Sequence, residues 1–144
     1  MDMKKILLPF DGSDHSIDAC QYALMLAKMS GAEVTIINCY ELLGDMHSAE
    51  IGEKLFEDIL VGIKKRSEQL LKEAEKLFLD QGVSYKLDAI AGAPGLILTE
   101  LAKSKEFDLI VMGSHGHSDI AGLFLGNVTH RVLNTIYCPV MIVP

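Results

Sequence analysis

The sequence predicts a single α/β domain, a three-layer sandwich in which a mainly parallel sheet of five strands lies between about four helices. Two observations lead to this prediction. Short apolar runs rich in β-branched residues alternate along the chain with longer segments of helical periodicity, as is typical of repeated βαβ units. The 144 residues also match the usual size of one domain, and we see no long linker or internal repeat. We therefore treat residues 1–144 as one domain.

The first forty residues predict two strands and one helix. Residues 4–9 form a short apolar run that ends in a proline, which cannot donate to a sheet ladder. Apolar residues then recur at helical spacing, from a start that Ser13 or Asp14 can cap to an end at Gly31. The β-branched run over residues 33–40 predicts a second strand that is buried on both faces.

The middle of the chain predicts a loop, a long helix and a third strand. Residues 41–52 hold two glycines and no sustained period, so we expect an ordered loop that is a candidate lid. From residue 53 to about residue 81, an apolar stripe alternates with charges of both signs, which is typical of a helix with one solvated face. Gly82 is expected to end this helix, and residues 84–90 follow as the third strand.

The last third of the chain predicts two further helices and two further strands. Pro94 is suited to the first turn of a short helix, where its missing N–H costs nothing. Residues 108–113 form the clearest buried strand of the sequence, and Asn127 can cap a helix after a loop that contains glycines. Residues 139–143 complete the predicted sheet as its fifth strand.

Charge and cysteine usage limit the possible classes of function. The chain has 13 basic and 20 acidic residues and a net charge of −7, which argues against nucleic acid or an anionic membrane surface as a partner. No apolar run reaches the roughly 18 residues of a membrane span, and we expect no cleaved leader. The three cysteines lack metal-ligand spacing and lie in apolar stretches, which indicates buried thiols in a cytoplasmic protein.

Three segments are expected to meet at the carboxyl edge of the sheet, where ligands bind in folds of this kind. They are residues 9–13, 39–40 and 113–118, which follow the first, second and fourth predicted strands. The third segment opens a Gly-x-x-Gly-x9-Gly-Asn pattern that spans residues 113–127 and joins a strand to a helix start. Glycines can turn backbone N–H groups inward and a helix N-terminus adds further donors, so this pattern predicts an anion site made of main-chain groups.

Other chemistry is less well supported by the residues. Neither a P-loop nor a G-x-G-x-x-G fingerprint after the first strand is present in the sequence. His115 and His117, with His130 nearby, suggest a metal site, but no acidic or thiol ligand accompanies them in their loop. We therefore expect no metal held by protein side chains. Neighbouring Ser and His residues point apart in helices and strands, and we predict no catalytic residue.

Several motifs, in order along the chain, resemble the universal stress protein family over essentially its whole length. The matching segments are Lys5–Ser13 (KILLPFDGS), Gly92–Gly95 (GAPG), Met112–His117 (MGSHGH), Leu125–Val128 (LGNV) and Cys138–Val143 (CPVMIV). The resemblance implies a five-stranded Rossmann-like fold and the branch of the family that binds ATP. It also implies a homodimer that pairs through the last strand, in agreement with the apolar edge strand predicted at residues 140–143.

Carried over to this sequence, the resemblance implies a site for ATP or another adenine nucleotide, accompanied by magnesium. Pro9, Asp11 and the backbone of Cys39 would border the adenosine, and Asp11 can also reach a nucleotide-bound Mg²⁺. The ribose and phosphates would lie against Gly113, Ser114, His115, Gly116, His117, Gly126, Asn127 and Val128. At position 127 the family has a hydroxyl residue, whereas the Asn amide donates with a different geometry.

The sequence leaves three functions open. The first is a cytoplasmic stress-response regulator, in which nucleotide occupancy biases residues 41–52 and the binding of an unidentified regulatory protein. The second is a slow ATPase or self-phosphorylating enzyme that uses Asp11, although the lack of a P-loop-type lysine disfavours rapid turnover. The third is a nucleotide-free dimeric scaffold, which is suggested by the substitution at Asn127.

Overall fold

Five parallel strands form one sheet. A computed structural model describes residues 2–42, 48–117, 126–134 and 137–144. The strands are β1 (Lys5–Pro9), β2 (Glu33–Tyr40), β3 (Tyr85–Ala91), β4 (Leu109–Gly113) and β5 (Val140–Val143). They lie in the order β3-β2-β1-β4-β5, and all four neighbouring pairs are parallel. The predicted parallel α/β fold is therefore confirmed.

The described residues contain five helices, one more than the approximate number predicted. They are α1 (Asp14–Ser30), α2 (Ser48–Ile51), α3 (Glu53–Phe78), α4 (Pro94–Lys103) and α5 (Asn127–Leu133). The additional helix, α2, lies in the segment predicted as a loop, because four residues are too few to show a helical period. Gly52, with φ of 87°, separates α2 from α3. Residues 43–47 of the predicted lid lie outside the described residues.

Both predicted boundaries of α1 are confirmed by the backbone. Ser13 caps α1 by accepting the N–H of Ser16 at 3.2 Å, and Gly31 ends α1 in the left-handed conformation with φ of 76°. The prediction that Asn127 caps the last helix is wrong. Gly126 is the N-cap and makes no side-chain hydrogen bond, and Asn127 is already the first helical residue. The extended ψ of 162° at Gly126 shows that the chain turns into the helix one residue earlier.

The core lies on both faces of the sheet. Alternate side chains of β1 point to opposite faces, so Ile6 and Leu8 pack in one cluster and Leu7 in another. Helices α1 and α3 cover the first face, while α4 and α5 cover the second. Each fully buried aliphatic side chain of this kind contributes roughly 1.5–3 kcal/mol to stability. The two clusters establish the predicted three-layer sandwich.

The winding of the chain reverses at the centre of the sheet. The chain adds β2 and β3 on one side of β1, and then β4 and β5 on the other side. Only two residue pairs join β1 to β4, namely Ile6 with Leu109 and Leu7 with Ile110. Beyond these pairs the two strands are no longer hydrogen-bonded as a ladder, which leaves room between their carboxyl ends. Within the described ranges, no helix has the length and apolar content to cross a membrane.

Candidate functional site

A cavity of about 330 Å³ lies at the carboxyl end of the sheet, where β1 and β4 separate. Its buried lining includes the apolar side chains of Ile37, Leu98 and Met112. The more exposed part of the lining is polar and includes Asp11 and His117. A cavity with an apolar interior and a few polar groups is typical of small-molecule sites, which range over roughly 300–1,000 Å³.

Asp11 connects the turn after β1 to the loop after β4. Its Oδ1 accepts the backbone N–H of Ser13 at 2.9 Å, and its Oδ2 accepts the backbone N–H of His117 at 3.0 Å. Burial raises the pKa of Asp11, but hydrogen bonds from Ser13, His117 and Ser16 outweigh it and hold the pKa below the ordinary value of 3.8. The carboxylate is therefore ionised at neutral pH.

Asn38 fixes the wall of the cavity formed by β2. Its Nδ2 donates to the carbonyl of Phe10 at 2.8 Å, and its Oδ1 accepts the hydroxyl of Ser67 at 2.6 Å. The side chain is only 8% exposed and lines the cavity. Asn38 was not predicted as a site residue, although an amide between the apolar residues Ile37 and Cys39 was a usable signal. Asn38 thus holds the end of β1 and helix α3 at a fixed separation.

The loop after β4 uses several of its backbone N–H groups within the protein. Ser114 donates to the carbonyl of Val143 at 2.8 Å, and Gly126 donates to the carbonyl of Ser114 at 2.8 Å. The N–H of His117 is bonded to Asp11. These three groups were expected to contribute to a main-chain anion site, but in this arrangement they bind protein acceptors instead.

Gly113 is required by packing rather than by the shape of a loop. A Cβ at this position would lie 2.6 Å from the Cβ of His15 and 2.9 Å from its carbonyl carbon. The first turn of α1 therefore passes too close for any side chain at the end of β4. Thr129 of α5 donates from its Oγ1 to the carbonyl of Gly113 at 2.9 Å, so helices from both faces of the sheet converge on this residue.

Two histidines are in contact beside the cavity. The rings of His15 and His115 lie 5.4 Å apart between centroids. His115 is further oriented by a 3.0 Å hydrogen bond between its Nδ1 and the hydroxyl of Ser114. His15 was not predicted as a site residue, because its position on α1 gave no indication of this contact. Within the described parts of the chain, no group of three or more His, Cys, Asp or Glu residues is arranged to hold a metal ion.

Cys39 lines the cavity with a protonated thiol. Burial raises the pKa of this thiol to about 11, and the nearby charge of Asp88 adds to the effect. At neutral pH the side chain therefore acts as a small apolar group with a weak S–H donor.

Eight of the eleven predicted site residues line the cavity, and the structure thereby brings the three predicted segments together. They are Pro9, Asp11, Cys39, Gly113, His115, Gly116, His117 and Val128. Ser114, Gly126 and Asn127 are not among the lining residues. The lining residues that sequence analysis did not single out are Phe10, Ser16, Ile37, Asn38, Leu70, Pro94, Leu98, Met112 and Thr129.

These features define a class of protein. It is the doubly wound α/β domain with a small-molecule cavity where its winding reverses. The family model described as the universal stress protein family matches residues 3–144. The chain belongs to the universal stress protein family, which confirms the resemblance seen in its motifs.

Two curated relatives cover nearly the whole chain. Universal stress protein MJ0531 of Methanocaldococcus jannaschii is 34% identical over 141 residues, which cover 97% of this chain and 81% of the relative. The universal stress protein in the QAH/OAS sulfhydrylase 3′ region of Thermus aquaticus is 35% identical over 142 residues, which cover 97% and 98% of the two chains.

Solved structures show the same fold. Universal stress protein UspA from Lactobacillus plantarum superimposes with a TM-score of 0.86 at 20% identity, over 100% of this chain and 99% of that one. A universal stress protein in complex with cAMP gives a TM-score of 0.70 at 28% identity, over 99% and 98% of the two chains.

Proposed function

We propose that this protein binds an adenine nucleotide in the cavity at the carboxyl end of the sheet. The observation that carries the proposal is the meeting of Pro9, Asp11, Cys39, Gly113 and residues 115–117 around one cavity at the reversal of the winding. The relative that is 28% identical and was solved in complex with cAMP, itself an adenine nucleotide, supports this choice of ligand.

The chemistry of the lining suggests how the nucleotide is oriented. The adenine ring suits the apolar part of the cavity, between Ile37, Leu98 and Met112. Each carboxylate oxygen of Asp11 accepts one backbone N–H and retains a second lone pair, which can accept a ribose hydroxyl. We place the phosphates against residues 115–117 and Val128, which line the same cavity.

Neither a lysine nor an arginine is among the described lining residues that could meet the phosphates. Among the described residues that form the cavity wall, the basic side chains are those of His115 and His117. A Mg²⁺ ion that arrives with ATP would supply the missing positive charge, and Asp11 is the carboxylate available to water molecules on that ion. We therefore propose ATP with magnesium as the main ligand, and AMP or ADP as further ligands.

Asn127 does not weaken this proposal. The side chain is exposed and lies outside the cavity lining, so its difference from the hydroxyl residue of the family leaves the contacts to adenosine unchanged. Its effect is expected on the phosphates alone, and hence on the preference between ATP and AMP.

We further propose that binding, rather than catalysis, is the role of the site, and that the protein is a cytoplasmic stress-response regulator. The edge strand β5 pairs only with β4 in the described sheet, and its residues Val140, Met141 and Ile142 are half-buried. A second copy that pairs along β5 would cover this edge and form a homodimer. Nucleotide occupancy would then control binding of a regulatory protein partner.

A calorimetric titration of nucleotide-stripped protein with ATP and Mg²⁺ tests the proposal, with adenosine and cAMP as further ligands. We expect saturable binding with one nucleotide per chain. Gly116→Val should abolish it by placing a side chain in the cavity, with an unchanged far-UV circular dichroism spectrum as the control for folding. Absence of heat in the wild type, with the dimer intact on gel filtration, would contradict nucleotide binding and favour the scaffold function. If the wild type releases phosphate from ATP and Asp11→Ala does not, the result would favour the ATPase function.

A further inference from the structure

The histidines of the chain are concentrated in the sequence around the cavity, and lysine and arginine are not. All five histidines lie in residues 6–27, 29–53 and 106–130, and these three stretches contain neither lysine nor arginine. Each stretch includes one of the strands β1, β2 and β4 together with the residues that follow its carboxyl end. Histidine is therefore the basic side chain that these segments can offer to an anionic ligand.

Two of these histidines are held against each other beside the cavity. His115 lines the cavity, and its ring centroid lies 5.4 Å from that of His15. The 3.0 Å hydrogen bond between Nδ1 of His115 and the hydroxyl of Ser114 fixes one edge of the ring. His15 is half-buried in the first turn of α1, and its close approach to Gly113 fixes its position at the end of β4. Both imidazoles are thus placed by the fold at the same border of the cavity.

Acidic side chains flank this pair on α1 and in the turn before it. Asp14 precedes His15 and Asp18 follows it by one turn, and both are exposed. Asp11 lines the same cavity as an ionised carboxylate. Strands β4 and β5 carry no titratable side chain. A phosphate that enters without a metal ion would therefore be repelled by these carboxylates, unless the imidazoles carry protons.

The cations of the neighbouring helices keep their charge at every pH of interest. Arg66 is exposed on α3, one turn before Leu70 of the cavity lining. Arg131 is exposed on α5 and packs against α4, where a Cβ on Gly95 would lie 2.9 Å from its Cδ. Arginine remains protonated in proteins, so a contribution from either residue to phosphate binding would not change with pH. His117, by contrast, lines the cavity itself.

We propose that His15 and His115 form a phosphate subsite of this cavity and bind the phosphate in their protonated state. The proposal rests on the proposed binding of a nucleotide. Imidazole side chains change charge between roughly pH 5 and 8, and a protonated ring donates a charge-assisted hydrogen bond to phosphate. Two positively charged rings in contact repel each other, and an anion bound to both offsets this repulsion. Phosphate binding is therefore coupled to proton uptake.

Calorimetric titration of the nucleotide-stripped, full-length chain with ATP at pH 8 and at pH 6 tests this subsite. EDTA is present throughout, so that Mg²⁺ supplies no charge. We expect the gain in affinity from pH 8 to pH 6 to be about tenfold larger for the wild type than for His15→Gln, because one charge-assisted hydrogen bond is lost. The phosphate of ATP also titrates in this range, but it does so equally with both proteins. His115→Asn should lose the same part of the gain.

Two controls separate the phosphate contact from other effects. His130 is exposed on α5, two residues after Val128 of the lining, so its side chain points away from the cavity. His130→Gln should therefore show the full gain in ATP affinity of the wild type. Adenosine has no phosphate, and its affinity should be the same for the wild type and His15→Gln at both pH values.

The outcomes distinguish this subsite from the proposed function. An equal gain in ATP affinity for the wild type and His15→Gln, with adenosine still bound, would overturn the histidine subsite and leave nucleotide binding intact. Equal losses of ATP and adenosine affinity in His15→Gln would also overturn it, since His15 would then support the shape of the cavity. Absence of binding of both ligands to the wild type, at both pH values, would contradict the proposed function itself and the subsite with it.

Discussion

Two aspartates at opposite ends of the sheet each accept two backbone N–H groups, and they serve different purposes. At the amino end, Asp108 accepts the N–H groups of Lys4 and Lys5 with a single oxygen, at 2.8 and 2.9 Å. These two hydrogen bonds hold the pKa of Asp108 below its ordinary value. At the carboxyl end, Asp11 divides its two oxygens between Ser13 and His117. Only Asp11 is among the residues that line the cavity.

The same kind of hydrogen bond has different consequences at the two ends of the sheet. At the amino end, the backbone N–H of Asp108 also donates to the carbonyl of Lys5 at 2.9 Å, so the starts of β1 and β4 are joined directly. At the carboxyl end the same strands have separated, and the carboxylate of Asp11 spans the opening. An acceptor that joins two strands is structural, whereas an acceptor that joins two loops around a cavity lies where the proposed nucleotide would bind.

The largest effect is expected from Gly113→Ala at the carboxyl end. The new Cβ would collide with the backbone of His15, and we expect a loss of about 2–3 kcal/mol of stability together with loss of nucleotide binding. Urea unfolding and calorimetry measure the two effects. Gly31→Ala is the control, because its positive φ is strained but its Cβ would meet no atom within 4 Å. It should cost about 1 kcal/mol and leave binding unchanged. Equal costs in the two variants would contradict the collision.

Substitution of Asp11 or Asp108 is expected to have an effect of intermediate size. The two variants test directly whether these aspartates have different roles. Asp11→Asn should weaken ATP binding by at least roughly tenfold, because a charge-assisted hydrogen bond is lost. Asp108→Asn should lower the melting temperature but leave the dissociation constant for ATP unchanged within about twofold, since it lies at the other end of the sheet. Similar losses of affinity in both variants would show that Asp11 acts through stability alone.

The smallest effect is expected on the unfolding free energy at acidic pH. When the pKa of a carboxyl group is lower in the folded state than in the unfolded state, the group stabilises the fold at pH values above its ordinary pKa. This stabilisation is lost as the pH falls through the folded-state pKa. For Asp11, the loss begins near the ordinary value of 3.8 and continues below it. Wild-type protein should therefore lose more unfolding free energy between pH 6 and pH 3 than Asp11→Asn. A larger loss in the variant would contradict the direction of the shift.

Much of the fold could be predicted because alternation of apolar runs and helical stripes depends on local sequence. The strand expected at residues 84–90 is found at Tyr85–Ala91, and the strand expected at residues 108–113 is found at Leu109–Gly113. The end of α3 was placed about three residues late. Its period continues into the turn, where Leu79 adopts ψ of 136° and Asp80 a positive φ of 58°. Backbone conformations of this kind leave no mark on hydrophobic spacing.

The candidate site was predicted only where it follows strand ends. Its motif residues lie at the carboxyl edge of the sheet, as strand order requires, and their contact with nucleotide stays a prediction. Leu70 and Thr129 were missed because they reach the cavity from helices that pack across the sheet. The hydrogen bond from the N–H of Gly126 to the carbonyl of Ser114 also has no signal in the sequence, because it depends on the position of Gly126 relative to Ser114 in the fold.

The three cysteines have a consequence for a protein that serves under stress. Peroxides and electrophiles react with thiolates rather than with thiols. Burial raises the pKa of Cys20 to about 12 and that of Cys39 to about 11, and it also raises the pKa of Cys138. At pH 7, a thiol with a pKa of 11 is ionised in about one molecule in ten thousand. An oxidant that modifies exposed regulatory thiols would therefore leave the three thiols of this chain unmodified, including that of Cys39 in the wall of the cavity.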